Sequence, residues 1–370
     1  MLCPFKDQNL KKEFIIKGFS NSDFLLKAFK EMLLNQGSIQ KTKKVRVFKN
    51  KGVRDDLSLK YQSLKMTKED DIKDYFKSEL LLENYCIALS QIEKYSNEIS
   101  DYFTEHIIDE WNKEYGNQTM GFELYSFFGE YDTTPFGVHK DQEHTILIHI
   151  GPNPAKVFCW NEDLDLNEVD IHNLNNISSP PRIYNINPGD LLVIPKKIPH
   201  TVKRQEFSIT LGAIPYTIEG LWIIERFIKN NLENKLAKVN ISDTDSEEKN
   251  SPLLSKTLTE FFNQMDFEKS ILNESKRLKS NGGLINNNIL DKTNDYLELK
   301  KTKEIVINYD KDKICIFISG RHIEIINAPS ISLLLSQLSK LRVISKENAI
   351  NILSEDFDYE ASVQIYNALL

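Results

Sequence analysis

Apolar residues along this chain follow two rhythms. Between Gly121 and Tyr216 they alternate or run in short branched blocks. These are Phe122-Glu123-Leu124-Tyr125, Thr145-Ile146-Leu147-Ile148-His149-Ile150, Lys156-Val157-Phe158-Cys159-Trp160, Arg182-Ile183-Tyr184-Asn185-Ile186, Leu191-Leu192-Val193-Ile194 and Phe207-Ser208-Ile209-Thr210-Leu211. A period of two belongs to strands, because successive side chains leave opposite faces. The turn signals between blocks, Gly151-Pro152 and Pro188-Gly189-Asp190, make them short strands of a small barrel.

The second rhythm is helical. Ser22-Asp23 can cap a helix through Leu25-Leu26, Ala28-Phe29 and Met32-Leu33. Asp70 to Glu83 places Ile72, Tyr75, Phe76 and Leu80 on one face. Ile92 to Lys113 does the same with Ile99, Tyr102, Phe103, His106, Ile107 and Trp111. Lys44–Phe48 and Tyr85–Leu89 read as strands. After Tyr216 an amphipathic helix is predicted over Leu221–Val239, then a polar linker over Asn240–Asn250, then a helix from Ser251 to Ser280 closed by Asn281-Gly282-Gly283. Three strands (Glu304–Asn308, Ile314–Ile318, His322–Ile326) and three capped helices (Ser330–Leu341, Ser345–Leu353, Asp358–Leu370) finish the chain. The expected class is α+β. Residues 1–220 form a barrel with flanking helices (core 121–218), 221–295 a helical linker or homodimer contact, and 296–370 a separate small unit.

Three residues in the barrel carry metal chemistry. His139-Lys140-Asp141 projects an imidazole and a carboxylate from one face of a strand end, since positions i and i+2 share a face. His200 follows Ile198-Pro199, and the proline fixes the backbone just before it. Two imidazoles and one carboxylate on one face of an octahedral ion leave three positions open, the arrangement of non-haem iron(II) oxygenases. A His-x-acid triplet by itself is common, and His322-Ile323-Glu324 is a second one; far from any further ligand in sequence, it reads as structural. What distinguishes His139 and Asp141 is the turn, strand, proline and histidine about sixty residues downstream. A barrel that keeps its shape without a metal is the other reading of the same residues. His144 and His149 read as satisfied barrel histidines, His106 as a packed helix residue, and His172 as solvated in the polar loop Asn161–Pro181. That loop either covers the barrel mouth or is a solvated insertion.

The segment Pro188-Gly189-Asp190 through Pro195 to His200 resembles the second motif of the cupin superfamily. Thr134-Pro135, His139-Lys140-Asp141, Gly151 and Lys156 resemble the metal and cosubstrate segment of Jumonji-type 2-oxoglutarate oxygenases. The resemblance implies a double-stranded β-helix. It implies that His139, Asp141 and His200 bind iron(II), and that Lys156, on the following strand, pairs with the distal carboxylate of 2-oxoglutarate. Thr134 or Thr145, and Tyr125, would hydrogen-bond the same carboxylate. This sequence departs from the pattern in two places: the threonine lies further from the first histidine, and Gly151-Pro152-Asn153-Pro154 lengthens the turn before Lys156. Lys156 also reads as a solvated turn lysine. No Arg or Lys between Gln205 and Gly212 competes with it. The last seventy residues resemble the winged-helix units that follow the barrel in Jumonji-type ribosomal oxygenases.

Composition narrows the field. Net charge is −7, from 47 basic and 54 acidic residues, which disfavours a general nucleic-acid binder. The helix carrying Lys346 and Glu347 lacks a basic cluster, so a peptide or protein partner is expected there rather than DNA. The basic run Lys41–Lys51 reads as a solvated edge. Cys3, Cys86, Cys159 and Cys315 have no paired spacing and fit reduced thiols in a cytoplasmic protein. Met1–Asp7 lacks the apolar core of a signal peptide, and no run is apolar enough to span a membrane. The expected function is an iron(II)- and 2-oxoglutarate-dependent dioxygenase, using O2 to hydroxylate a side chain of a peptide or protein, ribosomally made peptides included. A non-oxidising metal-dependent cupin and a ligand-sensing regulator are the alternatives.

Overall fold

The computed structural model describes residues 3–6, 8–34, 45–49, 52–80, 83–116, 119–217, 267–287, 295–309 and 312–370. The predicted helix Leu221–Val239, the linker Asn240–Asn250 and the first part of the helix from Ser251 lie outside these residues.

The alternating blocks form the strands they predict. In chain order these are β1 (Phe14–Ile16), β2 (Val45–Lys49), β3 (Gly52–Val53), β4 (Tyr85–Ser90), β5 (Thr119–Tyr131), β6 (Thr145–Pro152), β7 (Ala155–Cys159), β8 (Arg182–Ile186), β9 (Leu191–Ile194) and β10 (His200–Thr217). One wall of the barrel is antiparallel, in the order β1-β9-β6-β10-β5-β4-β2-β3. The smaller wall is β10-β7-β8. β10 belongs to both: His200–Lys203 pair with β7, and Ser208–Ala213 pair with β6. Where it passes from one wall to the other, its register against β5 shifts between Arg204 and Ser208. Two sheets joined through one long strand are a double-stranded β-helix with a side chain-filled interior.

Helices Ser22–Leu34 and Ile72–Leu80 and the long segment from Asn97 cover the outer face of the large wall. Their apolar stripes meet Phe128 of β5, whose ring lies 5.5 Å from Phe29 and 5.3 Å from Phe76. The segment from Asn97 is not one uniform helix. Asn97–Phe103 and Asp109–Tyr115 are joined by a π-helical turn over Thr104–Ile108. The wider turn keeps Ile99, Phe103, Ile107, Ile108 and Trp111 buried together. His106 is half-buried beside Tyr102, with ring centroids 4.5 Å apart.

The loop between β7 and β8 differs from its polar reading. Leu164, Leu166, Val169, Ile171 and Leu174 pack on Val138, Trp160 and Ile177 as a small core of their own. Its backbone then braces the turn before the first metal-site histidine, with Val138 N–H donating to Ile171 O at 2.8 Å. Gly137 in that turn has φ +67°, and a Cβ there would meet Ile171 O at 2.6 Å. His172 is half-buried against Gly137 rather than solvated.

The C-terminal residues form a second hydrophobic cluster around Ile314, Ile316, Ile331, Leu334, Leu338, Leu353 and Tyr366. The three predicted strands are β12 (Ile305–Tyr309), β13 (Lys313–Ile318) and β14 (Arg321–Ile326). β11 (Tyr296–Glu298) and β15 (Val343–Ser345) form an extra two-stranded sheet. The three helices are Pro329–Leu341, Lys346–Leu353 and Tyr359–Leu369. Ser345 and Asp358 cap the last two, but the first opens at Pro329 and its Ser330 N–H is met by Asp356 Oδ2 at 2.7 Å. Among the described residues no helix is long and apolar enough to cross a membrane.

Two histidines inside the barrel region are neutral. Burial, and then the charge of Lys196, pushes His144 down to about 4. Burial, and then Arg204, pushes His149 down to about 4. In the unfolded chain both return to about 6.5. Between those values the unfolded chain takes up protons that the folded chain refuses, so stability falls as pH falls. Together they give a slope of up to roughly 2.7 kcal/mol per pH unit. Urea midpoints should drop between about pH 7 and pH 5, and His149→Gln should make that drop shallower; an unchanged slope would contradict a buried neutral His149.

Candidate metal centre

The metal-site side chains are brought together by the backbone of the barrel mouth. His139 and His200 form an isolated antiparallel bridge with reciprocal hydrogen bonds, His139 N–H to His200 O at 3.0 Å and the reverse at 2.9 Å. Such a pair sets two side chains beside each other on one face, and the ring centroids lie 4.4 Å apart. Asp141 is held by its own carbonyl, which accepts from Lys197 N–H at 2.8 Å. Its carboxylate lies 3.8 Å from His139 Nε2 and 3.6 Å from His200 Nε2. One donor atom from each residue falls within 4.8 Å of the other two.

The surrounding hydrogen bonds decide which nitrogen is available. Nδ1 of His139 lies 3.1 Å from Gly137 O, and Nδ1 of His200 lies 2.9 Å from Ile198 O. A carbonyl only accepts, so each Nδ1 carries the proton and each Nε2 keeps its lone pair toward the centre. Burial, and then the neighbouring His139, pushes His200 down to about 4, against the opposing pull of Asp141. A neutral imidazole is the form that ligates. Thr145 Oγ1 donates to Asp141 Oδ2 at 2.7 Å and fixes the carboxylate. The donor set therefore fits a divalent metal: two oriented imidazoles and one braced carboxylate.

The triad opens into a cavity of about 290 Å³ inside the barrel. Its walls include Tyr125, Leu147, Ile186, Val202, Thr210 and Ile214, and its rim Arg46 and Phe136. Thr134, Thr145 and Tyr125 all line it. Thr134 Oγ1 donates to Gly137 O at 3.2 Å and lies 3.0 Å from Thr201 Oγ1, so it ties the histidine turn to β10. Tyr125 is buried across Gly212, where a Cβ would meet its ring at 2.2 Å. Burial, and then the Asp141 charge, pushes its phenol well above its ordinary value, and Thr145 bonds it.

Lys156 does not join them. It lies on β7 as expected, but its side chain is exposed. Ala155, Val157 and Cys159 take the inward positions of that strand. Strand parity is unforgiving: one residue of shift in the turn before β7 sends every side chain to the other face. The buried cation of the cavity is Arg204, which is 2% exposed. It sits four residues beyond His200, one position before the segment Gln205–Gly212, which holds no Arg or Lys. Even spacing from His200 on one strand was the available signal.

A second cluster lies away from the barrel. Cys315 of β13 pairs across to Glu324 of β14, which brings its thiol beside His322 and Glu324, all within 4.8 Å. The triplet His322-Ile323-Glu324 is therefore not far from a further ligand, as its sequence position suggested; sheet register supplies the neighbour. His322 stacks on Phe317 with centroids 4.6 Å apart.

No protein-family model matches the chain, and the search of curated proteins gave no match. Among solved structures, the chain is similar to the Escherichia coli ribosomal oxygenase YcfD in complex with cobalt and succinic acid, at 12% identity, over 98% of this chain and 92% of that one, with a TM-score of 0.46. The same protein with cobalt and 2-oxoglutarate aligns at 13% identity over the same shares, with a TM-score of 0.45. A salicylate 1,2-dioxygenase from Pseudaminobacter salicylatoxidans aligns at 8% identity over 26% of this chain and 21% of that one, with a TM-score of 0.19.

The donor geometry predicts metal affinity directly. Calorimetric titration with manganese(II) should show one site per chain in the barrel, lost in His139→Ala, Asp141→Ala and His200→Ala. Thr145→Val should weaken it by about 10- to 100-fold, because the brace on the carboxylate is gone. Full affinity in the His200→Ala variant would place the metal elsewhere.

Proposed function

We propose that the chain is an iron(II)- and 2-oxoglutarate-dependent oxygenase that hydroxylates a side chain of a peptide or protein. The observation that carries this reading is the convergence of His139 Nε2, His200 Nε2 and the Asp141 carboxylate at the edge of an interior cavity. Three protein ligands on one side of an octahedral ion leave room for a chelating oxo-acid and oxygen together. A purely structural metal site is instead closed by protein ligands.

Iron(II) at this centre supplies the redox chemistry, in which oxygen is spent on oxidative decarboxylation of 2-oxoglutarate to succinate and carbon dioxide and on hydroxylation of the substrate. The residues of this chain supply orientation and dryness. Gly137 and Ile198 carbonyls lock the two imidazoles, and Thr145 locks the carboxylate. Leu147, Ile186, Val202 and Ile214 keep the inner walls apolar, so polar groups there act without competition from bulk water. Arg46, held over the rings of Phe48 and Phe136 at 5.9 and 5.7 Å, stands at the rim where a substrate side chain would enter. Phe136 in turn lies 5.5 Å from the His139 ring.

A macromolecular substrate suits the arrangement of the whole chain. We assign residues 1–220 to catalysis, 221–295 to a helical connection and 296–370 to a unit that contacts the peptide or protein partner. The acidic balance of the chain favours that partner over nucleic acid.

Anaerobically purified protein supplied with iron(II), 2-oxoglutarate and air should form succinate, and a peptide substrate should raise the rate. The double variant His139→Ala, His200→Ala should lose at least about 100-fold of that turnover. Succinate at equal rates in wild type and double variant would refute the oxygenase reading.

A further inference from the structure

We infer that Cys315, His322 and Glu324 form a second metal site, on the C-terminal sheet, which takes a zinc(II)-class divalent ion and leaves one position of it open. The starting observation is three different ligand types gathered on one sheet face away from the barrel. β13 turns Ile314, Ile316 and Ile318 into the C-terminal core, and Ile323 and Ile325 of β14 pack on the same core. Alternation then sends Cys315, His322 and Glu324 to the opposite face.

Register does the rest. Cys315 pairs across the ladder with Glu324, and Phe317 with His322. Residues paired in this way stand side by side on one face, and their diagonal neighbours lie within reach of longer side chains. Cys315 thus meets Glu324 across the ladder and His322 on the diagonal. The imidazole lies flat on the buried Phe317 ring, with centroids 4.6 Å apart and 7° between the planes. Its plane is therefore set, and little is left to order when an ion enters.

The distances suit a shared ion better than they suit hydrogen bonds. Sγ of Cys315 lies 3.9 Å from Glu324 Oε1, and Nε2 of His322 lies 3.6 Å from the same oxygen. The second is beyond hydrogen-bond reach, and the first is a weak sulfur contact. Around tetrahedral zinc(II), bonds of about 2.3 Å to sulfur and about 2.0 Å to nitrogen and oxygen put neighbouring donors roughly 3.3–3.6 Å apart. The barrel triad has a similar spread, 3.8 and 3.6 Å.

Donor type separates the two centres. The barrel triad offers only nitrogen and oxygen, whereas a thiolate is soft and favours zinc(II). As the sulfur–metal bond forms, the thiol proton passes to solvent. Cys315 is 9% exposed, while the His322 and Glu324 side chains are 32% and 48% exposed. The ion therefore enters from the solvent side and keeps water on its fourth position. Three protein ligands and one open position make an exchangeable site rather than a closed cage. The hairpin turn beside it is tied to the rest of the chain. Gly320 O accepts from Arg277 Nη1 and from Asn287 Nδ2, each at 3.2 Å, and Gly320 N–H donates to Ser280 Oγ at 3.1 Å. An ion joining β13 to β14 stiffens the hairpin that makes this junction.

The test uses the full chain, freed of metal with a chelator, and cobalt(II) as the probe. Thiolate bound to cobalt(II) gives a charge-transfer absorption in the near ultraviolet that nitrogen and oxygen ligands do not give. The barrel triad has no sulfur, so this band reports the C-terminal site. It should saturate at one cobalt(II) per chain, and zinc(II) should remove it where manganese(II) does not. Cys315→Ser should abolish it. His322→Ala and Glu324→Gln should each weaken cobalt(II) binding at this site by at least about tenfold. Cys159→Ser, which alters the thiol paired across from His200 in the barrel, should leave the band unchanged. Glu324→Gln, on the exposed face of the sheet, decides the matter if Cys315→Ser does not fold. No band in the wild type, a band that persists in folded Cys315→Ser, a band lost in Cys159→Ser, or unchanged affinity in both His322→Ala and Glu324→Gln overturns the inference. None of these outcomes touches the oxygenase reading.

Discussion

The reciprocal pair of backbone hydrogen bonds between His139 and His200 is the constraint on which the rest depends. Sixty residues separate the two in sequence. The bridge makes them cross-strand neighbours and sets their ring centroids 4.4 Å apart. Everything around it serves to keep that bridge in register. Thr134 N–H donates to Val202 O, and Trp160 N–H donates to Pro199 O, each within 2.9 Å. The loop after β7 braces the turn from outside through Ile171. Three donor groups therefore meet at low entropic cost when a metal enters, because little remains to be ordered.

The second constraint is the double membership of β10. A strand that starts in the small wall and ends in the large one must bend, and the bend leaves carbonyls facing inward. Arg204 meets two carbonyls around that corner, Phe127 O and Ser208 O. The same guanidinium stands in the wall of the cavity that the metal triad lines. Such a buried charge is poor stabilisation by itself, since desolvation opposes every bond it makes.

At the other end of the Asp190 turn, the N-terminus is tied to the barrel. Asp190 accepts from Gly18 N–H at 2.9 Å and pairs with Lys17 Nζ at 2.8 Å; against burial, which raises it, Lys17 with the Asn187 and Gly18 N–H groups holds its carboxyl below the usual range. The C-terminal unit is joined by the helix Phe267–Ser280. Leu278 packs against Gly121 of β5, and the Leu284 backbone bridges to Phe122. Buried Glu93 reinforces this seam by accepting from Leu124 N–H at 3.0 Å and from Asn286 Nδ2 at 2.5 Å. Burial pushes its carboxyl up to about 8.

Sequence alone determined the period of each element, and period is a local property. Branched and aromatic residues in short blocks from Phe122 to Leu211 predicted strands, and the stripe Ile72, Phe76, Leu80 a helix face. The turn chemistry of Pro188-Gly189-Asp190 and the triplet His139-Lys140-Asp141 were legible for the same reason: each acts within a few residues. Tertiary structure decided what depends on parity and enclosure. It turned Lys156 outward, gave Thr145 to Asp141, folded the loop after β7 over a core of its own, and set Cys315 beside His322. Arg204 is the clearest case. An arginine among strand residues is unremarkable in a sequence, because nothing local says that no carboxylate will come near it. Only the closed barrel brings it, buried, into the wall of the cavity that the metal triad lines.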